Sequence, residues 1–130
     1  MIVNTVYKHL YSTYGLRSLS FMDKDYKKKY IGKLFDRDCA YHMGTTWGFL
    51  IGGFITAYCK VNDYSKEAIE KANYMCKVFE DTMRDGCING IAEIFDGDFA
   101  STGRGCYSQA WSVAEVLRAY TQDVMPYLNK

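Results

Sequence analysis

The sequence predicts an all-α fold of about four helices joined by two long loops. Apolar residues recur at helical spacing in four separate segments, and residues that cap or stop helices lie at most of the segment ends. Segments that are apolar nearly all round alternate along the chain with segments that keep a polar face. This alternation is typical of a double-ringed helical toroid, because its inner helices are enclosed and its outer helices border solvent.

The first two predicted helices lie near the N-terminus and in the middle of the chain. The first ends at Gly15. Its apolar residues at helical spacing are Val3, Val6, Tyr7, Leu10 and Tyr14. The second begins near Thr45 or Thr46, either of which can cap it, and runs to about Val61. It is apolar nearly all round but shorter than a membrane span, so we expect a buried helix rather than a membrane helix.

The third and fourth predicted helices are the best defined by their ends. The third begins after Ser65 and ends at Gly86, and charged pairs four residues apart on its other face indicate that it borders solvent. Its apolar stripe consists of Ile69, Ala72, Met75, Cys76, Phe79 and Met83. The fourth runs from about Ser108 to Val124 and stops at Pro126.

Two loops, residues 16–44 and 87–107, carry almost no helical signal. Loops of this length in a compact domain tend to be functional. Each loop leads into one of the two most apolar helices, so we expect the loop ends to meet at one mouth of the bundle. No internal repeat or linker divides the chain, and residues 1–130 are therefore predicted to form a single domain.

The overall charge limits the possible partners. The 130 residues have a formal net charge of +1, which gives no excess of positive charge for nucleic acid or an anionic membrane. Acidic residues dilute the lysines of residues 23–33, DKDYKKKYIGK, which are predicted to form a solvated loop. We therefore expect neither nucleic acid nor a membrane as partner. The N-terminal residues also lack the pattern of a signal peptide.

The cysteines and acidic turns predict no metal site and no cofactor. The five cysteines form no CxxC pair and no zinc-type Cys/His spacing, so we predict reduced thiols in a cytoplasmic protein. Residues 96–98, Asp-Gly-Asp, suggest a calcium loop. However, an EF-hand would need an acidic or amide residue at Ala100, a glycine at Ser101 and a glutamate at Tyr107.

Glu93 is the most unusual charged residue in the sequence. Its neighbours within GIAEIFDGDF, residues 90–99, are apolar on both sides. A carboxylate in such a setting has a partner or a chemical task, because burying an unpaired charge costs free energy. A structural role is an alternative, in which Glu93 caps the turn at Ser108 or pairs with Arg104.

The two long loops carry a set of side chains that is typical of a sugar site. Aromatic rings pack on the apolar faces of pyranose rings, while guanidinium, amide and carboxylate groups bind the hydroxyls. The candidate substrate-binding residues are Arg37, Asp38, His42, Thr46, Trp47, Gln109 and Trp111. Structural interpretations stand beside this one: tryptophans at helix starts often belong to the core, adjacent Arg37 and Asp38 can form a weak ion pair, and His42 can be a structural histidine.

Four stretches of this sequence are similar to one known family. GLRSLS at 15–20, RDCAYHMGTTWGFLIGGF at 37–54, GIAEIFDGD at 90–98 and RGCYSQAWSVAEVLRAY at 104–120 resemble the C-terminal part of glycogen debranching enzymes. More narrowly, they resemble the amylo-α-1,6-glucosidase module of the bacterial and archaeal type. The resemblance implies an (α/α)6 toroid of twelve helices, of which this chain would form about the last third.

The resemblance also implies an activity and roles for particular residues. The family removes single glucose units from α-1,6 branch stubs of α-glucans by inverting hydrolysis, without a cofactor. Glu93 matches the family's general base, which activates the attacking water. His42, Thr46 and Trp47 match the motif that lines the glucose subsite, and Gln109 with Trp111 matches the motif that closes the subsite.

The chain departs from the family pattern in three ways. The family's general acid, an aspartate, lies upstream of the matched part, and so do about eight of the twelve helices. Trp47-Gly48-Phe49 also stands where the family has a Trp-Pro-Trp-like run, which puts a second subsite aromatic in doubt. We therefore expect the chain alone to be inactive, and its uncovered apolar helices predict a homo-oligomer or a complementing N-terminal polypeptide. The alternatives are a non-catalytic α-glucan-binding module and a structural partner subunit.

Overall fold

A computed structural model describes residues 2–98 and 102–128. In these residues five α-helices pack with a five-stranded antiparallel sheet. The prediction of an all-α fold, with its arc of a helical toroid, is therefore wrong, and the fold is α+β. The helices are α1 (Ile2–His9), α2 (Leu34–His42), α3 (Leu50–Val61), α4 (Lys66–Lys77) and α5 (Ala110–Ala119). The strands are β1 (Tyr11–Ser12), β2 (Gly15–Arg17), β3 (Thr46–Trp47), β4 (Ile94–Phe95) and β5 (Gly103–Arg104).

The sheet joins segments that are far apart in sequence. Its strands follow the order β1-β2-β3-β4-β5, and every neighbouring pair is antiparallel. Trp47 lies opposite both Leu16 and Ile94, so β3 occupies the centre of the sheet. Strands of two or three residues are too short to give an alternating hydrophobic pattern, and only the pairing of their backbone groups defines them.

The first predicted helix is shorter than expected because the chain turns into the sheet. α1 ends at His9, and the residues up to Arg17 form the β1–β2 hairpin. Gly15 does not stop a helix. It has a φ of +146°, and a Cβ at this position would lie 2.1 Å from the carbonyl oxygen of Trp47. Glycine is thus required here because β2 and β3 approach each other closely.

The second predicted helix begins later than expected. Thr46 and Trp47 form β3, and α3 begins at Leu50 and ends at Val61 as predicted. The preceding loop contains α2, which the sequence did not predict. Of its nine residues only Ala40 is buried, so α2 lacks the apolar stripe that identifies a helix in a sequence. Its start is stabilised by Asp36, whose carboxylate accepts a hydrogen bond from the backbone N–H of Lys33 at 3.1 Å.

The third and fourth predicted helices are present with altered ends. α4 continues into a 3₁₀ turn over Val78–Thr82, and Gly86 follows outside the helix with a φ of +68°. α5 continues into a π-helical turn over Tyr120–Val124 and a 3₁₀ turn over Met125–Tyr127. The predicted loop 87–107 contains β4 and β5, so the two loops that were expected to be irregular supply much of the sheet.

The core lies between α3, its neighbours α4 and α5, and the inner side of the sheet. Its largest fully buried apolar side chains are Phe79, Phe95, Ile51, Ile55, Ile69, Met75, Ile91, Ile94 and Val124. Burying such side chains contributes roughly 1.5–3 kcal/mol each, and this packing fixes the helices against which the sheet is held. None of the helices in the described residues is both long and apolar enough to cross a membrane.

Candidate functional site

Glu93 lies immediately before β4 and is held by two hydrogen bonds. The hydroxyl of Tyr41, on α2, donates to Oε1 at 2.6 Å. The backbone N–H of Cys106 donates to Oε2 at 3.1 Å. Gly105 allows this approach, because a Cβ there would lie 2.5 Å from Oε2. The carboxylate thus has two uncharged donors, which fix its orientation without cancelling its charge.

Tyr41 is a dependable donor in this arrangement. Burial, followed by the hydrogen bond to Glu93, raises the pKa of Tyr41 to about 12. The phenol therefore stays protonated at neutral pH. The ring is itself enclosed by other rings, with centroids 4.4 Å from Trp47, 5.2 Å from His42 and 6.0 Å from Tyr30.

An open cleft is lined by Tyr41, the residue that donates to this carboxylate, but not by Glu93 itself. We refer to it as the aromatic cleft, and it is lined by Ser18, Tyr41, His42, Trp47, Phe49 and Leu50, with a volume of about 370 Å³. The indole N–H of Trp47 donates to the carbonyl oxygen of Tyr41 at 3.1 Å, which fixes the ring. Trp111, on the first turn of α5, stacks on Phe49 with ring centroids 4.8 Å apart, and its centroid is 6.2 Å from that of Trp47.

Several of the sequence-predicted residues therefore lie close together. His42 and Trp47 line the aromatic cleft, and Trp111 adjoins it through Phe49. Glu93 reaches the cleft through the shared contact with Tyr41. At 43% exposure, Trp111 is not a core residue, in contrast to the structural interpretation of tryptophans at helix starts.

The other predicted residues, Arg37, Asp38, Thr46 and Gln109, are not among those that line the aromatic cleft. The guanidinium of Arg37 lies 6.0 Å from the ring centroid of Tyr30, and Arg37 and Asp38 are both exposed on α2. Thr46 is fully buried in β3. Gln109 precedes α5, and its backbone N–H donates to the carbonyl oxygen of Ile91 at 2.8 Å.

Of the two structural partners considered for Glu93, Arg104 does not pair with it, while its contact with the Cys106 N–H lies two residues before Ser108. Arg104 pairs instead with Asp96, with Nη2 and Oδ2 separated by 3.0 Å. Asp96 is only 5% exposed and also accepts a hydrogen bond from the backbone N–H of Tyr30 at 2.9 Å. The carboxylate at position 96 thus joins the first long loop to β5.

Two residues that are not among the sequence-predicted site residues connect the site. Tyr41 immediately precedes His42 in a motif of candidate residues. Phe49 was considered only as a departure from the family pattern, yet its ring lies between the cleft and Trp111. The concentration of aromatic residues between positions 41 and 49 was the available signal.

The described residues contain no group of three or more His, Cys, Asp or Glu side chains that could hold a metal ion. Ala100 and Ser101, two positions at which an EF-hand loop would need other residue types, lie outside the described residues. All five cysteines are free thiols.

A cleft lined by aromatic rings, one of which holds a carboxylate through a hydrogen bond, is typical of proteins that act on carbohydrates. The amylo-α-1,6-glucosidase family matches residues 1–118, and the chain belongs to this family. This match confirms the resemblance to the C-terminal part of glycogen debranching enzymes and includes every residue of the site described above. No curated protein shows significant similarity to the chain.

Proposed function

We propose that this chain supplies the general-base side of an amylo-α-1,6-glucosidase site, with Glu93 activating the water that attacks an α-1,6-linked glucose unit. One observation carries the proposal: the Glu93 carboxylate is bound to the hydroxyl of Tyr41, whose ring forms a wall of the aromatic cleft. A sugar in the cleft and a water beside Glu93 would then be neighbours. The family match supports the α-glucan substrate class.

The contacts of Glu93 suit a general base. A base must be ionised and must point at the water from which it takes a proton. The donors from Tyr41 and Cys106 orient the carboxylate but bring no positive charge that would reduce its ability to accept a proton. A salt bridge of the kind that Asp96 makes with Arg104 would oppose this role.

The predicted substrate-binding residues differ in how closely they would contact the sugar. His42 and Trp47 would contact the sugar in the cleft, and Trp111 would extend the aromatic surface through Phe49. Arg37, Asp38 and Gln109 do not line the cleft, so we propose that they bind hydroxyl groups of sugar units beyond it. Thr46 is fully buried within β3 and would act only by holding Trp47 in that strand.

Hydrolysis requires a second carboxyl group. In inverting glycosidases the general acid stands about 6.5–9.5 Å from the base, which leaves room for the water. The family resemblance assigns no residue of this chain to that role. We therefore propose that the acid comes from a complementing N-terminal polypeptide in the cytoplasm and that the chain alone binds α-glucan but does not hydrolyse it. Losing the general acid removes a factor of typically ~10²–10⁴ in rate.

The first test uses the chain's two tryptophans, Trp47 and Trp111. Titration with maltooligosaccharides and a branched limit dextrin should give a saturable change of intrinsic fluorescence. Calorimetry should show that Trp47→Phe and Trp111→Phe each bind the sugar more weakly. In the fluorescence titration, Trp47→Phe should still show a change, because Trp111 remains. Absence of any change at millimolar ligand would contradict binding by this chain.

The second test addresses the role of Glu93. Mixing the chain with an upstream polypeptide of the family should restore glucose release from limit dextrin. Glu93→Gln should abolish the restored activity and leave sugar binding nearly unchanged, because the amide keeps an acceptor for Tyr41. Restored activity that survives Glu93→Gln would exclude Glu93 as the base.

A non-catalytic α-glucan-binding module is the second candidate. The observation that favours it is the Phe49–Trp111 stack, which presents an exposed aromatic surface independently of Glu93. This function predicts saturable sugar binding, no glucose release with any upstream polypeptide, and no effect of Glu93→Gln.

A further inference from the structure

A second cavity adjoins the segment that holds Glu93, because Ala92 and Phe95 of that segment line it. Its volume is about 330 Å³, and its other walls come from the turn after α4, from β5 and from the residues that follow β5. Asp85, Arg104 and Tyr107 are the lining residues with charged or phenolic side chains, while the hydroxyl of buried Thr82 already donates to the carbonyl oxygen of Phe79 at 2.8 Å. Among the described residues, none that lines the aromatic cleft also lines this cavity.

Three glycines allow the walls of the cavity to approach each other closely. Gly86, Gly103 and Gly105 all contribute to its walls. A Cβ on Gly103 would lie 2.9 Å from the Cβ of Ala92, and one on Gly86 would lie 3.2 Å from the Cβ of Tyr107. Side chains at these positions would therefore force the walls apart, and the close packing of backbone around the cavity depends on their absence.

The charges around the cavity favour an uncharged, hydroxyl-rich ligand. Asp85 is exposed and offers a carboxylate that can accept hydrogen bonds from vicinal hydroxyls. Arg104 can donate, but its positive charge is already balanced by Asp96, with which it forms a 3.0 Å ion pair. An anion would therefore meet an uncompensated carboxylate rather than a free cation.

Tyr107 adds the apolar surface that a sugar ring requires. Its side chain is 65% exposed, and its Cβ lies close to the turn at Gly86. The combination of an exposed phenol ring, a carboxylate and a guanidinium is suited to a pyranose, whose apolar face packs on the ring while its hydroxyls bind the polar groups. The volume falls at the lower end of the ~300–1,000 Å³ typical of small-ligand sites, which suits a mono- or disaccharide.

We propose that this cavity is a second carbohydrate site, which binds a neutral mono- or disaccharide such as glucose or maltose. The proposal shares its ligand class with the proposed function but uses none of the same side chains. The two sites are connected by backbone: Gly105 lines the cavity and lies against the Glu93 carboxylate, and Ala92, which also lines the cavity, directly precedes Glu93.

Nuclear magnetic resonance of the ¹⁵N-labelled chain separates the two sites in one titration. Glucose and maltose should move the backbone amide signals of Gly86 and Gly103, which line the cavity and do not contact Glu93. Ligand in the aromatic cleft should instead move the indole signals of Trp47 and Trp111. The glycine signals report the cavity and the indole signals report the aromatic cleft, independently of each other. Failure of this proposal would leave the glycine signals unchanged, whereas failure of the proposed function would leave the indole signals unchanged.

Two variants and two matched controls test the assignment. Asp85→Asn and Tyr107→Ala should each raise the Kd reported by the glycine signals about tenfold, the loss expected for one charged hydrogen bond or one stacked ring. The controls are Asp81→Asn and Tyr74→Ala, which remove an exposed acid and a tyrosine of similar exposure (63%) outside the cavity lining. Both controls should leave the glycine titration unchanged.

Three results would overturn the proposal. Glycine signals that do not respond to either sugar would show that the cavity does not bind them. Equal effects of Asp85→Asn and Asp81→Asn would show that Asp85 makes no specific contact. A response to inorganic phosphate in place of glucose would show that the site selects an anion rather than a neutral sugar.

Discussion

Glu93 and Asp96 lie three residues apart on one segment, yet their carboxylates are held in opposite ways. Asp96 is buried and paired with the guanidinium of Arg104. Glu93 is only partly buried and is held by a phenol and a backbone N–H. The positive charge of Arg104 balances the negative charge of Asp96, whereas the two donors to Glu93 are uncharged.

This difference shows how one segment can hold two carboxylates in different ways. The Asp96–Arg104 pair and the hydrogen bond from the Tyr30 backbone hold the first long loop against β5. Glu93 is oriented by Tyr41 and Cys106 and takes no part in that ion pair. The two residues are close in sequence, and their partners are what distinguish them.

The largest effect on stability should come from removing the charge of Asp96, which forms the ion pair with Arg104. Asp96→Asn leaves Arg104 without its counter-charge, and we expect a loss of about 2–3 kcal/mol in the free energy of unfolding. This is below the ~3–5 kcal/mol for a fully buried pair, because the Arg104 side chain is 33% exposed. Glu93→Gln should cost about 1–2 kcal/mol, because the amide has one acceptor oxygen and cannot keep both hydrogen bonds of the carboxylate. Urea denaturation measures both.

Asp38→Asn is the control for this pair, because Asp38 is exposed on α2 and should change stability little. The comparison breaks down if Glu93→Gln destabilises the protein as much as Asp96→Asn does. Glu93 would then be a structural residue like its neighbour.

The next effect tests the close approach that holds Glu93. Gly105→Ala introduces a Cβ 2.5 Å from Oε2 at a residue with a φ of +65°, so we expect a loss of about 1–2 kcal/mol and a displaced carboxylate. Gly53→Ala is the matched control. A Cβ at Gly53 meets no atom within 4 Å, and this position in α3 should gain about 0.5–1 kcal/mol. Thermal unfolding of the two variants should shift in opposite directions, and a shared direction would contradict the role of Gly105.

The smallest effect on stability should come from removing the hydroxyl of Tyr41, which donates to Glu93. Tyr41→Phe removes the hydrogen bond to Glu93 and should cost about 1 kcal/mol at neutral pH. An unfolded tyrosine loses its proton near pH 10, whereas folded Tyr41 has a pKa of about 12. The stability that Tyr41 contributes is therefore fully present below pH 10 and is lost as the pH rises to about 12. Tyr41→Phe should lose stability less steeply in this range.

Tyr11→Phe sharpens this prediction. Burial also raises the pKa of Tyr11 to about 12, so its removal should flatten the alkaline loss in the same way. Tyr11 packs on Tyr7 and Phe54, away from the cleft, and its variant should keep normal α-glucan binding. Denaturation midpoints that run parallel for Tyr41→Phe and the wild type between pH 10 and 12 would contradict the expected linkage.

The helices that sequence analysis predicted best are those whose apolar stripe faces the core. α4 begins where Ser65 indicated, and α3 ends at Val61 as expected. α2 escaped prediction because it is mostly exposed, and the five strands escaped because each has two or three residues. The error in fold class follows from these omissions.

For the site, the residue types were predictable and their partners were not. An isolated carboxylate among apolar neighbours indicated that Glu93 would have a partner or a task. The sequence offered Ser108 and Arg104 as partners, whereas Tyr41, 52 positions away, is the one that binds it. Nothing local to either residue encodes that contact.

The sequence by itself determined the family, the three core-facing helices and the unusual setting of Glu93, because these depend on motifs and on periodicity within single segments. The tertiary structure alone decided the sheet, the Asp96–Arg104 pair and the Tyr41–Glu93 bond. Each of these joins groups that are distant in sequence, as when the guanidinium of Arg17 donates to the carbonyl oxygen of Gly97, 80 positions later. Such contacts depend on the core, which holds the segments together, since a strand of two residues has no stability of its own.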